Sequence, residues 1–197
     1  MSSHLACVRL IVLSSLILRL SAQGEHAQSL PATATELRDA LVGEWVGTLE
    51  YRDYSEPATS TKRVKLPTWL KVEPAQGTDL RFRYIYDDGP TKTVKEVSVI
   101  GIDTSNSLYT ISDLAGKIED SYTISGLAQL RSGHGTLTLT GKGTENKVLV
   151  EVRTTLRIGR NILEITRETA APGQPFAFRH AYTFVRAAEP LDYPQVR

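Results

Sequence analysis

The side chains best placed for chemistry are His180, in "FAFRHAYTF", and five tyrosines, Tyr84, Tyr86, Tyr109, Tyr122 and Tyr182, at the inward beat of an alternating pattern. Residues two apart on a strand share a face, so Phe176, Phe178, Tyr182 and Phe184 are expected beside His180. An imidazole in such an apolar slot is the nitrogen ligand a haem iron takes. Hydrogen-bonded to a tyrosine or a neighbouring strand, it is instead an ordinary core or rim residue. The tyrosines, with Arg153, Arg157 and Arg179 as cations, suit a fatty acid or other acidic lipid whose carboxylate takes a bidentate bond from an arginine. The same tyrosines also serve to fill an interior with their hydroxyls at its rim. The expected ligand lining is Tyr84, Tyr86, Tyr109, Tyr122, His180, Tyr182 and Arg179.

Other reactive residues point to no reaction. His134 lies between glycines in "SGHG", a turn, and the few histidines do not supply the further ligands a metal needs. Asp87-Asp88 and Glu119-Asp120 fall in or beside turns, where aspartate favours the local backbone geometry. The chain has no Gly-x-Ser-x-Gly elbow, phosphate-binding loop, His-Glu-x-x-His or EF-hand loop. No catalytic residue, resident metal or cofactor is assigned, haem on His180 being the alternative.

The elements that position these residues begin after a leader. Residues 1–24, "MSSHLACVRLIVLSSLILRLSAQG", hold an apolar run from Val8 to Leu20 and then Ala22 and Gly24, small residues spaced as a signal peptidase requires. The run contains Arg9 and Arg19 and is shorter than the about 20 apolar residues that span a bilayer. Export to the periplasm or beyond is therefore expected, with the segment removed and no stable membrane span left. Cys7 is the one cysteine, so the mature chain would form no disulfide and offer no thiol. Lys plus Arg number 23 against 22 Asp plus Glu, scattered along the chain. No basic footprint for nucleic acid results.

Residues 25–41 read as a linker and a short helix. Thr33 and Glu36 have capping-box spacing, and Leu37 and Leu41 fall on one face. From Val42 to residue 187 the period is two. Trp45, Gly47, Leu49 and Tyr51 face in on the first strand; Val64, Leu66, Thr68, Leu70 and Val72 on the next, where Pro67 implies an edge or a bulge and Trp69 falls on the lysine side; Leu80, Phe82, Tyr84 and Tyr86 on the third. Seven more segments follow, "TVKEVSVIGI" through "FAFRHAYTFVR", joined by links of hairpin length. With no second helix between strands, parallel α/β folds are excluded. About ten consecutive hairpins give an all-β up-and-down meander, and closing it removes the exposed edges. The expected fold is one antiparallel closed barrel of about ten strands with one short N-terminal helix, wide enough inside for one small ligand. Residues 188–197 read as a flexible tail.

Gly43-x-Trp45 after a short helix, with Arg186 at the end of the last strand, resembles the lipocalin-like barrels of the calycin superfamily. The resemblance implies that Trp45 plugs the barrel floor, framed by Gly43, and that Arg186 lies across its ring. A narrower resemblance is to nitrobindin, whose opening is similar to "GEWVG" and whose histidine-bearing segment is similar to "GQPFAFRH"; it implies haem bound through His180. Three functions are then in view: an exported, non-catalytic carrier of a small apolar or amphipathic molecule, a haem barrel, and a side-chain-filled structural or envelope-interaction barrel. Oligomeric state is not encoded in any of these features.

Overall fold

The computed structural model describes residues 33–191, apart from 58, 59 and 146. The leader, most of the linker and the last six residues of the tail lie outside the described residues. Within them, helix α1 (Ala34–Leu41) leads into ten strands: β1 (Gly43–Arg52), β2 (Arg63–Pro74), β3 (Leu80–Asp87), β4 (Thr93–Asp103), β5 (Leu108–Ser112), β6 (Ile118–Ser125), β7 (Gly135–Glu145), β8 (Val148–Ile158), β9 (Ile162–Ala170) and β10 (Ala177–Arg186). Each strand pairs antiparallel with the next in sequence, and β1 pairs with β10 to close the barrel. No described helix is long and apolar enough to cross a membrane.

The period-two pattern explains the wall. Inward residues such as Leu70, Val72, Leu80, Phe82, Leu137, Leu139, Val152, Leu156 and Phe184 are buried, while the alternate positions carry ion pairs across the outer face, including Lys65–Glu50 at 3.1 Å and Arg83–Glu73 at 2.8 Å. Trp69 lies on that outer face, opposite Val46 and Ile85. Pro67 makes no bulge; it sits in a local edge, with residues 63–67 laddered to β1 alone among the described residues. Its register with β1 is unbroken, Pro67 opposing Thr48, and pairing with β3 ends one residue later at Thr68. The fully buried Thr68 hydroxyl takes the Leu49 N–H at 3.2 Å, so the irregularity leaves that donor satisfied.

The lower end is sealed by α1. Thr33 and Glu36 form the capping box, with the Glu36 carboxylate receiving the Thr33 N–H at 2.8 Å and the Thr33 hydroxyl receiving the Glu36 N–H at 3.2 Å. Leu37 and Leu41 then point into the barrel beside Trp45, all three at 1% exposure or less. The chain passes from helix to strand at Gly43, whose φ of +139° suits glycine alone, and a side chain there would collide with the Arg186 guanidinium. Beyond Arg186, Ala187 N donates to Glu44 O at 2.8 Å and Leu191 N to the Glu44 carboxylate at 2.7 Å.

Gly47 faces Phe184 across the β1–β10 seam, and a Cβ there would overlap the Thr183 carbonyl. Gly47→Ala is therefore expected to cost about 1–3 kcal/mol, the usual penalty of overpacking. Chemical denaturation reads it; an unchanged midpoint means the two strands stand farther apart than described.

Candidate functional site

Three departures from regular pairing shape the upper half of the barrel. First, β5 and β6 form a short hairpin: β4 pairs with β5 only over Val99–Asp103, and β6 with β7 only over Tyr122–Ser125. Among the described residues, Thr93–Ser98 and Lys142–Glu145 therefore have a ladder on one side only, and the wall dips to a lip between them. Second, the register between β5 and β6 shifts beside Ser112, where Ile111 opposes Asp120 and Ser112 opposes Ile118. Third, β10 shifts register against β9 between Phe178 and His180, so Arg179 is an extra residue.

Below the lip lies a chamber of about 320 Å³. Phe82, Tyr84, Tyr109, Tyr122 and Tyr182 supply its rings, and Ile100, Leu139, Leu156 and Ile165 much of its aliphatic wall. The rings interlock: Tyr84 and Tyr182 lie 5.3 Å apart between centroids, Tyr109 and Tyr122 6.5 Å, and His180 meets Tyr182 edge-on at 5.4 Å. Polar groups converge on the same space from Glu96, Glu119, Asp120, Arg167 and His180.

Two of these form relays. The buried Tyr86 hydroxyl donates to Glu96 at 3.1 Å and sits 3.1 Å from the Tyr182 hydroxyl. Arg167 Nη1 donates to the Tyr122 hydroxyl at 3.1 Å. Gly143, opposite Val150 on β8, leaves room for this arginine, since a Cβ there would come 3.4 Å from its Nη2. By contrast, the hydroxyls of Tyr84 and Tyr109 and the ring of His180 have no hydrogen-bond partner among the described residues, although all three line the chamber.

Five of the seven residues expected in the lining, Tyr84, Tyr109, Tyr122, His180 and Tyr182, thus meet in one chamber, and Tyr86 stands behind it, holding Glu96 and Tyr182. Arg179 does not join them. The bulge turns it across the upper rim, where it pairs with Glu145 at 2.7 Å and lies 4.4 Å over the Tyr54 ring. Phe176 and Phe178 also leave the His180 face; they pack under Arg153 and Arg63, at 4.2 and 4.5 Å. Arg153 and Arg157 pair with Glu168 and Glu164 at 2.8 and 3.0 Å, away from the chamber. The cation inside is Arg167, which falls on the same beat as Leu163 and Ile165 in "NILEITRET" and was legible from that alternation. Glu119 and Asp120 lie at the start of β6, beside the turn that follows β5, and both line the opening. Asp88 keeps its turn role, pairing with Lys92. His134 closes a tight turn against Arg131, its N–H donating to the Arg131 carbonyl at 2.9 Å.

Burial holds the imidazole and the phenols of the chamber in their neutral forms. Desolvation, aided by the charges of Arg167 and Arg179, lowers the His180 pKa to about 4, so the ring is neutral at pH 7. Burial drives Tyr84, Tyr86 and Tyr109 far up and Tyr182 up to about 12. Each of these phenols therefore keeps its proton at pH 7. General acid–base catalysis favours groups that titrate near the working pH, and this imidazole and these phenols are moved the other way. They form a hydrogen-bonding surface.

The His180 shift predicts a pH effect. The folded pKa of about 4 lies below the unfolded 6.5, so the unfolded chain takes up the proton first. This contribution to stability is complete above about pH 6.5 and is lost as the pH falls towards 4, on the order of 2–3 kcal/mol. Urea midpoints measured across that window should fall more steeply for the native protein than for His180→Gln; parallel curves would place the imidazole in solvent.

Haem does not suit this chamber. The volume of about 320 Å³ is at the small end for ligand pockets, and Tyr182 crowds the imidazole. The two propionates would meet Glu96, Glu119 and Asp120 with Arg167 as the one guanidinium in the lining. No protein-family model matches the chain, and no curated protein matches it.

Proposed function

We propose that the protein is an exported carrier that binds one small amphipathic molecule in the barrel and does not transform it. The observation that carries this reading is the chamber: apolar walls, a lip that gives access, and unpartnered polar groups on Tyr84, Tyr109 and His180. Aromatic and aliphatic walls interspersed with placed polar groups offer an amphipathic molecule both kinds of contact. The Trp45–Arg186 floor agrees with a lipocalin-like relationship, and the leader at residues 1–24 is the basis for placing the carrier outside the cytoplasm. Fold alone does not carry function, so the chamber bears the weight.

The test is native mass spectrometry of the mature protein, gently purified from the exported fraction, beside the same sample denatured. A discrete extra mass lost on denaturation is expected and identifies the cargo class. A bare chain that also takes up no small amphiphile when titrated would assign the barrel to a structural role.

A further inference from the structure

The expectation of an acidic ligand rested on arginines that face elsewhere, and the chamber's own charges point the opposite way. Its lining holds the carboxylates Glu96, Glu119 and Asp120 against the single guanidinium of Arg167. Arg167 is already engaged, donating to the Tyr122 hydroxyl and lying 5.7 Å from that ring's centroid. His180 adds no charge at pH 7. Lys95 and Lys142 oppose Ile85 and Glu151 on the outer face, away from the lining.

The carboxylates do not stand alone. They rim a cavity walled by aromatic faces, and an aromatic face attracts a cation through the negative centre of its ring, more strongly where water is excluded. Inside, Tyr109 is only 8% exposed, lines the cavity, and its hydroxyl has no hydrogen-bond partner among the described residues. That hydroxyl faces the cavity and is open to a polar partner there.

We propose that the ligand is an organic cation, an amine or quaternary ammonium on a compact apolar body, with the body against Phe82, Ile100 and Leu139 and the charge at the opening near Glu96 and Asp120. This rests on the carrier reading and adds the sign of the ligand to it. An anion of the same shape meets two uncompensated carboxylates at the lip; a cation meets them together with the tyrosine faces.

The test compares three probes of one skeleton, phenylpropylamine, phenylpropanol and phenylpropionate, by titration calorimetry on the mature protein at low and moderate salt. The amine should bind about tenfold or more tighter than the carboxylate, a difference of about 1.4 kcal/mol, and the gap should narrow as salt screens the lip. Glu96→Gln with Asp120→Asn, checked for an unchanged unfolding midpoint, should erase most of the gap between amine and carboxylate. Equal binding of all three probes, or preference for the carboxylate, overturns the cation assignment and leaves the carrier standing, as does an amine preference indifferent to the double substitution. Binding of none of the three overturns both.

Discussion

Replacing Trp45 with alanine should lower the free energy of unfolding by about 3–5 kcal/mol, the cost of deleting a large buried ring whose cavity does not collapse. The ring is fully buried, and Leu37, Leu41, Leu70 and Phe184 of the same core have no more than 1% exposure. Three separate things are lost: the packing of the indole, its Nε1–H bond to the Leu41 carbonyl at 2.9 Å, and the Arg186 guanidinium lying 4.1 Å from its centroid. The Leu41 carbonyl is at the end of α1, where the helix has no partner of its own to offer, so the substitution loosens the helix together with the barrel floor. Urea unfolding followed by far-ultraviolet circular dichroism measures it. A loss below about 1 kcal/mol, the range of ordinary surface changes, would mean that the indole is not part of a packed floor.

The second large effect is expected at Arg186. Its Nη1 donates to Val42 O and its Nη2 to Ala40 O, both at 2.7 Å, and its Nε donates to Arg160 O at 3.1 Å. One planar group therefore joins the end of α1, the start of β1 and the β8–β9 turn. A cation at a helix C-terminus also meets the negative end of the helix dipole. Arg186→Met removes the donors and leaves part-buried carbonyls without partners, at a cost of about 3–4 kcal/mol. Arg186→Lys should recover only part of it, because an ammonium is a point donor and does not reach three carbonyls in a plane. In a double-mutant cycle the Trp45 and Arg186 losses should fall short of additive by about 0.5–2 kcal/mol, the share belonging to their stacking. Strict additivity would separate the two residues.

These two residues were legible because alternation and a short motif both pointed to them. The strand count and closure were legible for the same reason: a sheet buried on one face writes a period of two, and links of hairpin length allow only neighbours to pair. The chamber was legible less evenly. Parity alone separates Arg153 and Arg157, which alternate with Val152 and Leu156, from Arg167, which shares the beat of Ile165. Phe178 was misplaced because alternation carries across a bulge unchanged, whereas the extra residue in β10 reverses every face above it; Arg179 alternates with His180, so parity alone sets it outside. Asp120 shares the beat of Tyr122 and was legible by parity, whereas Glu119 is the extra residue at the register shift beside Ser112. Both irregularities lie at the open end beside the chamber, where pairing yields to a cavity.

The closure of the barrel also governs how it comes apart. Nine of its ten ladders join strands that follow one another in the chain, and only the β1–β10 ladder joins the first to the last. Closing a loop of that length costs entropy that no local hairpin has to meet, so this seam is the natural late event in folding and the early one in unfolding. Trp45, Gly47 and Arg186 all lie on it. Substitutions at these positions should then act mainly on the rate of opening: a chevron plot should show faster unfolding with the refolding arm nearly unmoved. The residues that seal the floor are thus also the clasp that sets the lifetime of the closed barrel, and of anything held within it.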